Sequence, residues 1–176
     1  IAFGPIVGAG PNGALPHATP TDRKLQRGDL LVVDWGVYVD DYPSDLTRTF
    51  AVGEIDPELR RVYDTVRLAN EAARQAARPG VSGREVDRAA REVIEDAGYG
   101  EYFIHRTGHG LGLEVHEAPD ASPTNTRPLV PGNVFTIEPG IYLPDRGGVR
   151  IEDNMVVTAD GCRTMTGFSR DLITVG

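Results

Sequence analysis

Runs of β-branched and aromatic residues at 30–39 (LLVVDWGVYV) and 43–52 (PSDLTRTFAV) flank the turn-like Asp40-Asp41-Tyr42 and predict a β-hairpin. The period then changes. Leu59, Val62, Tyr63, Val66, Ala69, Ala73 and Ala76 recur at helical spacing, with Asp56 able to cap the first turn, Pro57 suited to the first helical position and Pro79-Gly80 ending the run. A second helix opens at SGRE, where Ser82 and Glu85 have capping-box spacing. Val86, Ala89, Ala90, Val93 and Ile94 form its apolar face, and Gly98 ends it.

Past the helices, NVFTIEPGIYL and GGVRIEDNMVV predict a second pair of strands around the turn from Pro144 to Gly147. A last strand is expected near 162–165, and the opening IAFGPIV also reads as strand. Residues 122–132 form a polar, proline-punctuated loop. No linker divides the chain. The pattern is α+β: two hairpins separated by two helices.

Both hairpins carry acids inside their apolar runs. Asp34 follows Leu30-Leu31-Val32-Val33, and the midpoint between Asp34 and Asp45 falls beside Asp40, in the turn. Without a bulge the two side chains stand opposite each other on one face, with Cβ atoms roughly 4.5–5.5 Å apart. Glu138 and Glu152 repeat the arrangement around Asp145. Like charges facing each other across a ladder are destabilising, and burying them adds a desolvation cost. Arg48 and Arg150 are too few to neutralise two such pairs, so one or two divalent cations are the better counter-charge. Asp40, Asp41, Asp145 and Asp153 occupy turns or the other strand face and read as structural.

Three of the four histidines, His105, His109 and His116, fall in the segment HRTGHGLGLEVHEAP. Gly108 and Gly110 let the His109 ring approach closely. Four carboxylates with one imidazole make an oxygen-dominated site for manganese, cobalt or iron, and a pair of ions roughly 3.5–4 Å apart would share bridging carboxylates. Structural zinc held by thiolates is excluded, because Cys162 is the only cysteine. His17 lies apart, in a loop stiffened by Pro16 and Pro20. It reads equally as a group reaching over the site or as part of a surface turn.

Five motifs, ALPHATP, VVDWGVYVDDYPSDLTRTF, HRTGHGLGLEVHEAP, FTIEPGIYLP and GVRIEDNMVV, resemble in order those of the "pita-bread" metallopeptidases, which include methionine aminopeptidase, aminopeptidase P and prolidase. SDLTRTF, HRTGHG with VHEAP, and GVRIEDN are more similar to the Xaa-Pro peptidases. The resemblance implies the pita-bread fold, an antiparallel sheet with helices on one face. It also implies hydrolysis of the bond between an N-terminal residue and proline by hydroxide held between two divalent metals, manganese first, or cobalt, iron or zinc. By the same resemblance Asp34, Asp45, His109, Glu138 and Glu152 are the ligands, with Asp45 and Glu152 bridging. Glu138 is the proton acceptor, His116 stabilises the tetrahedral intermediate, His17 and His105 position the scissile peptide or shuttle protons, and Arg150 orients the ligand carboxylates.

The family's catalytic domain begins with a helical stretch ahead of the strand at IAFGPIV. Residues 1–176 are therefore expected to be such a domain shortened on its N-terminal side, and a homo-oligomer is expected for the full-length parent. Two other activities are compatible with the resemblance: hydrolysis of a small non-peptide amide or cyclic amidine, and a non-catalytic binding role. The intact ligand set argues against the second and against a metal-free creatinase-like reaction.

Composition narrows the partners. A net charge of −8 argues against nucleic acid. No apolar run nears the roughly 20 residues of a membrane span. A lone cysteine, reading as a space-filler near a turn, fits a reducing compartment such as the cytoplasm.

Overall fold

Burial in Leu30–Trp35 (β2) alternates residue by residue, and Asp34 falls on the buried side with Leu30 and Val32. The alternation that drives the strand into the interior thus carries a carboxylate with it. This computed structural model describes residues 1–176. β1 (Ile6–Ala9) and β2 are followed by β3 (Tyr38–Val39), β4 (Tyr42–Pro43) and β5 (Leu46–Val52). Next come α1 (Pro57–Ala76) and α2 (Gly83–Asp96). The second half holds β6 (Gly108–Gly110), β7 (Glu117–Ala121), β8 (Val134–Ile137), β9 (Gly140–Leu143), β10 (Gly147–Arg150), β11 (Asp153–Val157), β12 (Cys162–Thr164) and β13 (Ile173–Val175).

Helix ends follow the local chemistry. The Asp56 carboxylate accepts from the Glu58 amide at 2.7 Å, and the Ser82–Glu85 capping box is closed in both directions. Leu59, Val62, Tyr63, Val66, Ala69 and Ala73 of α1 are buried; Ala76 is only half-buried. The helices pack on each other and share one apolar cluster with Leu30, Phe135, Ile137, Val149 and Ile151 of the strand segments.

One sheet has the order β1-β2-β5-β13 and the other β12-β11-β8-β6-β7, with β9 and β10 forming a ribbon. The β8–β11 ladder pairs Ile137 with Asp153, and the ribbon pairs Gly140 with Arg150. One register runs through both, so Glu138 and Glu152 face each other between them, as the turn at Asp145 predicts. The sheets meet where the Thr49 hydroxyl bonds the backbone of Arg150 and the Glu152 amide donates to the Thr47 carbonyl at 3.1 Å.

Four expectations are corrected. Asp34 pairs with Thr47 rather than with Asp45. The turn centres on Asp40-Asp41, both at positive φ (48° and 66°), the conformation of a two-residue hairpin turn of type I′. Asp45 therefore lies two residues short of the position opposite Asp34, nearer the turn. Because side chains repeat every second residue, it keeps its face. The opening strand starts only at Ile6. β12 is not the last strand, since β13 follows and pairs with β5 in parallel, so the sheets are not wholly antiparallel. All three residues of β13 are exposed, which leaves no burial pattern to read. β6 and β7, an interior and an edge strand of the second sheet, lie in a segment for which the sequence pattern predicts no element. Gly-His-Gly has no apolar residue to signal a strand.

Candidate metal centre

A cavity of about 510 Å³ opens where the two sheets meet, and all four histidines of the chain line it: His17, His105, His109 and His116. Asp34, Asp45, Glu138, Glu152 and Arg150 line it too, so every residue singled out in the sequence reaches one space. Three apolar side chains and Pro16, Gly4 and Arg106 complete the wall.

His109 reaches the cavity from β6, an interior strand of its sheet, because its neighbours have no side chains. A Cβ on Gly108 would lie 1.8 Å from the Thr136 carbonyl oxygen, and one on Gly110 would lie 2.4 Å from that of Glu117. Its Nδ1 lies 3.1 Å from the Gly110 carbonyl, which can only accept, so Nδ1 carries the proton. Nε2 then presents a lone pair to Glu138 Oε1 at 3.2 Å and Asp45 Oδ2 at 3.5 Å. Burial lowers the His109 pKa to about 4, which keeps the ring neutral.

The acids are crowded. Burial, with Asp34 and Glu138 alongside, pushes Asp45 up to about 8. Burial, moderated by Arg150 and reinforced by Asp34, raises Glu138 to about 7. Glu152 is raised well above the usual carboxylate range by burial and then by Glu138, Asp45 and Asp34. Asp34 accepts from Arg150 Nη2 at 2.7 Å, the single guanidinium bond to the carboxylates of these four acids. Arg48 serves the opposite side: wholly buried, it pairs with Asp153 at 2.8 Å and bonds four carbonyls.

This arrangement fits divalent cations. Asp34 Oδ1 and Asp45 Oδ1 are buried without a hydrogen-bond partner, and acceptors face acceptors around His109 Nε2. Ligand atoms of Asp45, His109 and Glu152 lie within 4.8 Å of one another. Once the carboxyls are ionised, buried oxygens and a nitrogen lone pair turned inward with no donor between them form a ligand set that a positive ion satisfies.

The remaining groups differ in setting. His116 is exposed and stands edge-on to His109, ring centroids 4.1 Å apart. His17 is also exposed, but its loop is tied to the site, because Arg150 Nη1 donates to the Pro16 carbonyl at 3.0 Å. His105 donates from Nδ1 to the Arg106 carbonyl at 2.7 Å, so its Nε2 accepts from the Tyr142 hydroxyl at 2.9 Å. Burial lowers the His105 pKa to about 4.

Tyr142 was not legible in the sequence: within GIYL it reads as core, yet its hydroxyl also accepts from Arg150 Nη1 at 2.9 Å. Thr47 is a second such residue, donating to Glu152 Oε2 at 2.5 Å and accepting from Arg150 Nε at 3.1 Å. A third is Asp87 of α2, wholly buried, which accepts from the amide and hydroxyl of Thr107 and pairs with Arg91. The Asp87–Arg91 spacing of four residues was its only sequence signal, and it reads as an ordinary helical ion pair.

A sequence model described as "Metallopeptidase family M24" matches residues 1–159. An Xaa-Pro dipeptidase of Pyrococcus furiosus is 46% identical over 172 residues, covering 98% of this chain and 49% of its own length. The crystal structure of a dipeptidase from Pyrococcus horikoshii OT3 superposes with a TM-score of 0.97 at 51% identity, over 99% of this chain and 49% of that one. An X-Pro aminopeptidase from Thermotoga maritima superposes with a TM-score of 0.96 at 44% identity, over 99% and 49%. The chain spans about half the length of the curated relatives it matches.

Proposed function

The chain belongs to metallopeptidase family M24, and from that premise we propose that it performs metal-dependent hydrolysis of the peptide bond between an N-terminal residue and proline. Residues 1–176 belong to the catalytic domain without its N-terminal part, and the full-length protein assembles as a homo-oligomer. The observation that carries the reading is the convergence of four carboxylates and all four histidines on one cavity. The names of the similar proteins supply the proline preference.

Asp34, Asp45, His109, Glu138 and Glu152 are the residues that would hold two divalent cations, and Asp45 and Glu152 are the ones that would be shared. When bound, these ions neutralise the acids, polarise the scissile carbonyl and lower the pKa of water. A set of four carboxylates and one imidazole favours manganese among the candidate metals.

The protein's own groups do the rest. Glu138 has one edge open to the cavity and the Thr136 hydroxyl 3.1 Å from Oε1. It takes the proton of the attacking water and passes it to the leaving imino nitrogen. His116, free on the cavity wall, donates to the developing oxyanion, an interaction worth roughly 3 kcal/mol when a donor is deleted. His105, held neutral by burial, and His17, on the loop anchored through Pro16, position the scissile peptide. Arg150 orients Asp34 and ties it to Thr47 and Tyr142.

No helix is long and apolar enough to cross a membrane. A single half-buried cysteine is in keeping with a cytoplasmic setting.

The test uses the full-length protein, stripped with chelator and reloaded with manganese, cobalt, iron or zinc. Cleavage of Xaa-Pro dipeptides and longer Xaa-Pro peptides, restored by metal and absent with non-proline controls, is the expected result. Failure to cleave any Xaa-Pro substrate under every metal, or equal cleavage of small amides, overturns it.

A further inference from the structure

We infer that Asn70, on α1 behind the site, is a positioning residue that sets the separation of Glu138 and Glu152. The inference rests on the metal-centre reading above and assigns a role to a residue outside the cavity.

At the glutamate pair the two strands are not bonded through the glutamate amides. The Glu138 amide donates to the Thr107 carbonyl at 2.7 Å and the Glu152 amide to the Thr47 carbonyl at 3.1 Å, each turning away from the other strand. Beside the pair the backbones are joined by the Ile151 amide, which donates to the Pro139 carbonyl at 3.4 Å, and one side chain also spans the strands. Asn70 Nδ2 donates to the Ile137 carbonyl at 3.1 Å and to the Ile151 carbonyl at 3.1 Å. These are the peptide oxygens immediately before Glu138 and Glu152. A single amide group therefore ties down the backbone from which both carboxylates project.

Two further observations separate this from an incidental buried polar group. Asn70 is completely buried among the apolar residues of α1, where an unbonded amide carries a heavy desolvation cost. Its orientation is also set: Oδ1 accepts from Arg74 Nε at 2.9 Å, one helical turn along, which points the Nδ2 hydrogens at the two carbonyls. Arg74 reaches a surface cavity on the far side, lined also by Arg67 and Arg170. The chain of contacts runs from that surface to the base of the glutamate pair.

The experiment measures Mn²⁺ affinity by calorimetric titration of the chelator-stripped full-length protein, alongside its metal-free melting temperature. Asn70→Leu keeps the volume and removes the clamp. It is expected to weaken Mn²⁺ binding about tenfold, the lower end of the effect of losing a group that orients metal ligands. Val66→Ala, a core truncation on the same helix with neither carbonyl in reach, is expected to lower the melting temperature while leaving the affinity unchanged. Arg74→Leu, which leaves Asn70 in place but frees its orientation, is expected to weaken binding by a smaller factor, about threefold.

Unchanged Mn²⁺ affinity in Asn70→Leu, or an equal loss in Val66→Ala, shows that Asn70 serves stability alone and overturns the inference. Should Asn70→Leu fail to fold, Arg74→Leu decides in the same way. Wild-type protein that takes up no divalent ion sinks the metal-centre reading and this inference with it. Normal wild-type uptake with indifferent variants sinks this inference alone.

Discussion

Thr47 and Glu152 are joined twice, once by the Glu152 amide donating to the Thr47 carbonyl at 3.1 Å and once by the Thr47 hydroxyl donating to the Glu152 carboxylate at 2.5 Å. The pair bridges the two sheets at the floor of the cavity. Thr47 also stands across the ladder from Asp34, and its hydroxyl accepts from the arginine that holds Asp34. Thr47→Val keeps the shape but leaves buried polar groups unpaired, a loss of about 1–3 kcal/mol. A fall in chemical-denaturation stability of that size, accompanied by weaker metal binding, is expected. A neutral substitution would show that the bridge is incidental.

The carboxylates were legible because burial in a strand repeats every two residues. Reading the Asp34–Asp45 register two residues out left both acids on the correct face, so an error in pairing did no harm to the chemistry. The Glu138–Glu152 pairing was read correctly, since the turn at Asp145 is symmetric about them. What stayed hidden has no local signal. Thr47, Tyr142 and Asn70 look like ordinary strand or helix residues, and their partners lie 105, 37 and 81 positions away in the chain for the bonds to Glu152, His105 and Ile151. The strand at His109 was hidden for another reason: it forms through close backbone approach at glycine rather than through apolar burial.

His109 and His116 stack edge-on yet should fail differently when removed. His109→Ala deletes the lone pair between Asp45 and Glu138, so bound metal and hydrolysis should disappear together. His116→Ala should keep the metal and lower turnover at least about tenfold, and by roughly 10²–10³ if the whole effect of one oxyanion donor is lost. Elemental analysis beside steady-state kinetics checks both. Full metal content in the first variant, or normal turnover in the second, contradicts the roles given to them.

Tyr142 links His105 to Arg150 through one hydroxyl. Tyr142→Phe removes the donor to His105 Nε2 and the acceptor for Arg150 at the same time, with little change in volume. Turnover of an Xaa-Pro substrate should fall about tenfold while metal content holds, since Arg150 keeps its bond to Asp34. Unaltered kinetics would reduce the hydroxyl to a filler of hydrogen-bonding capacity. Loss of metal would place Tyr142 with the ligand-supporting groups instead.

The crowded acids make stability depend on pH differently with and without metal. Asp45 and Glu138 have folded pKa values raised above those of the unfolded chain, to about 8 and about 7, and Glu152 is raised as well. Below about pH 6.5 the neutral His105 and His109, lowered to about 4, offset these carboxyls, because the unfolded chain protonates its imidazoles there. From about pH 6.5 to about pH 8 the carboxyls alone leave the metal-free folded state with more protons than the unfolded state. Its stability must fall as pH rises through that window. Divalent ions compete with those protons, so their stabilising effect grows over the same range. Scanning calorimetry with chelator should show a melting temperature dropping from about pH 6.5 to about pH 8, and added Mn²⁺ should raise it far more at the upper end. A chelated protein that becomes more stable with rising pH over that range would mean that these carboxylates are already ionised and neutralised by the protein itself, leaving no electrostatic demand for a cation.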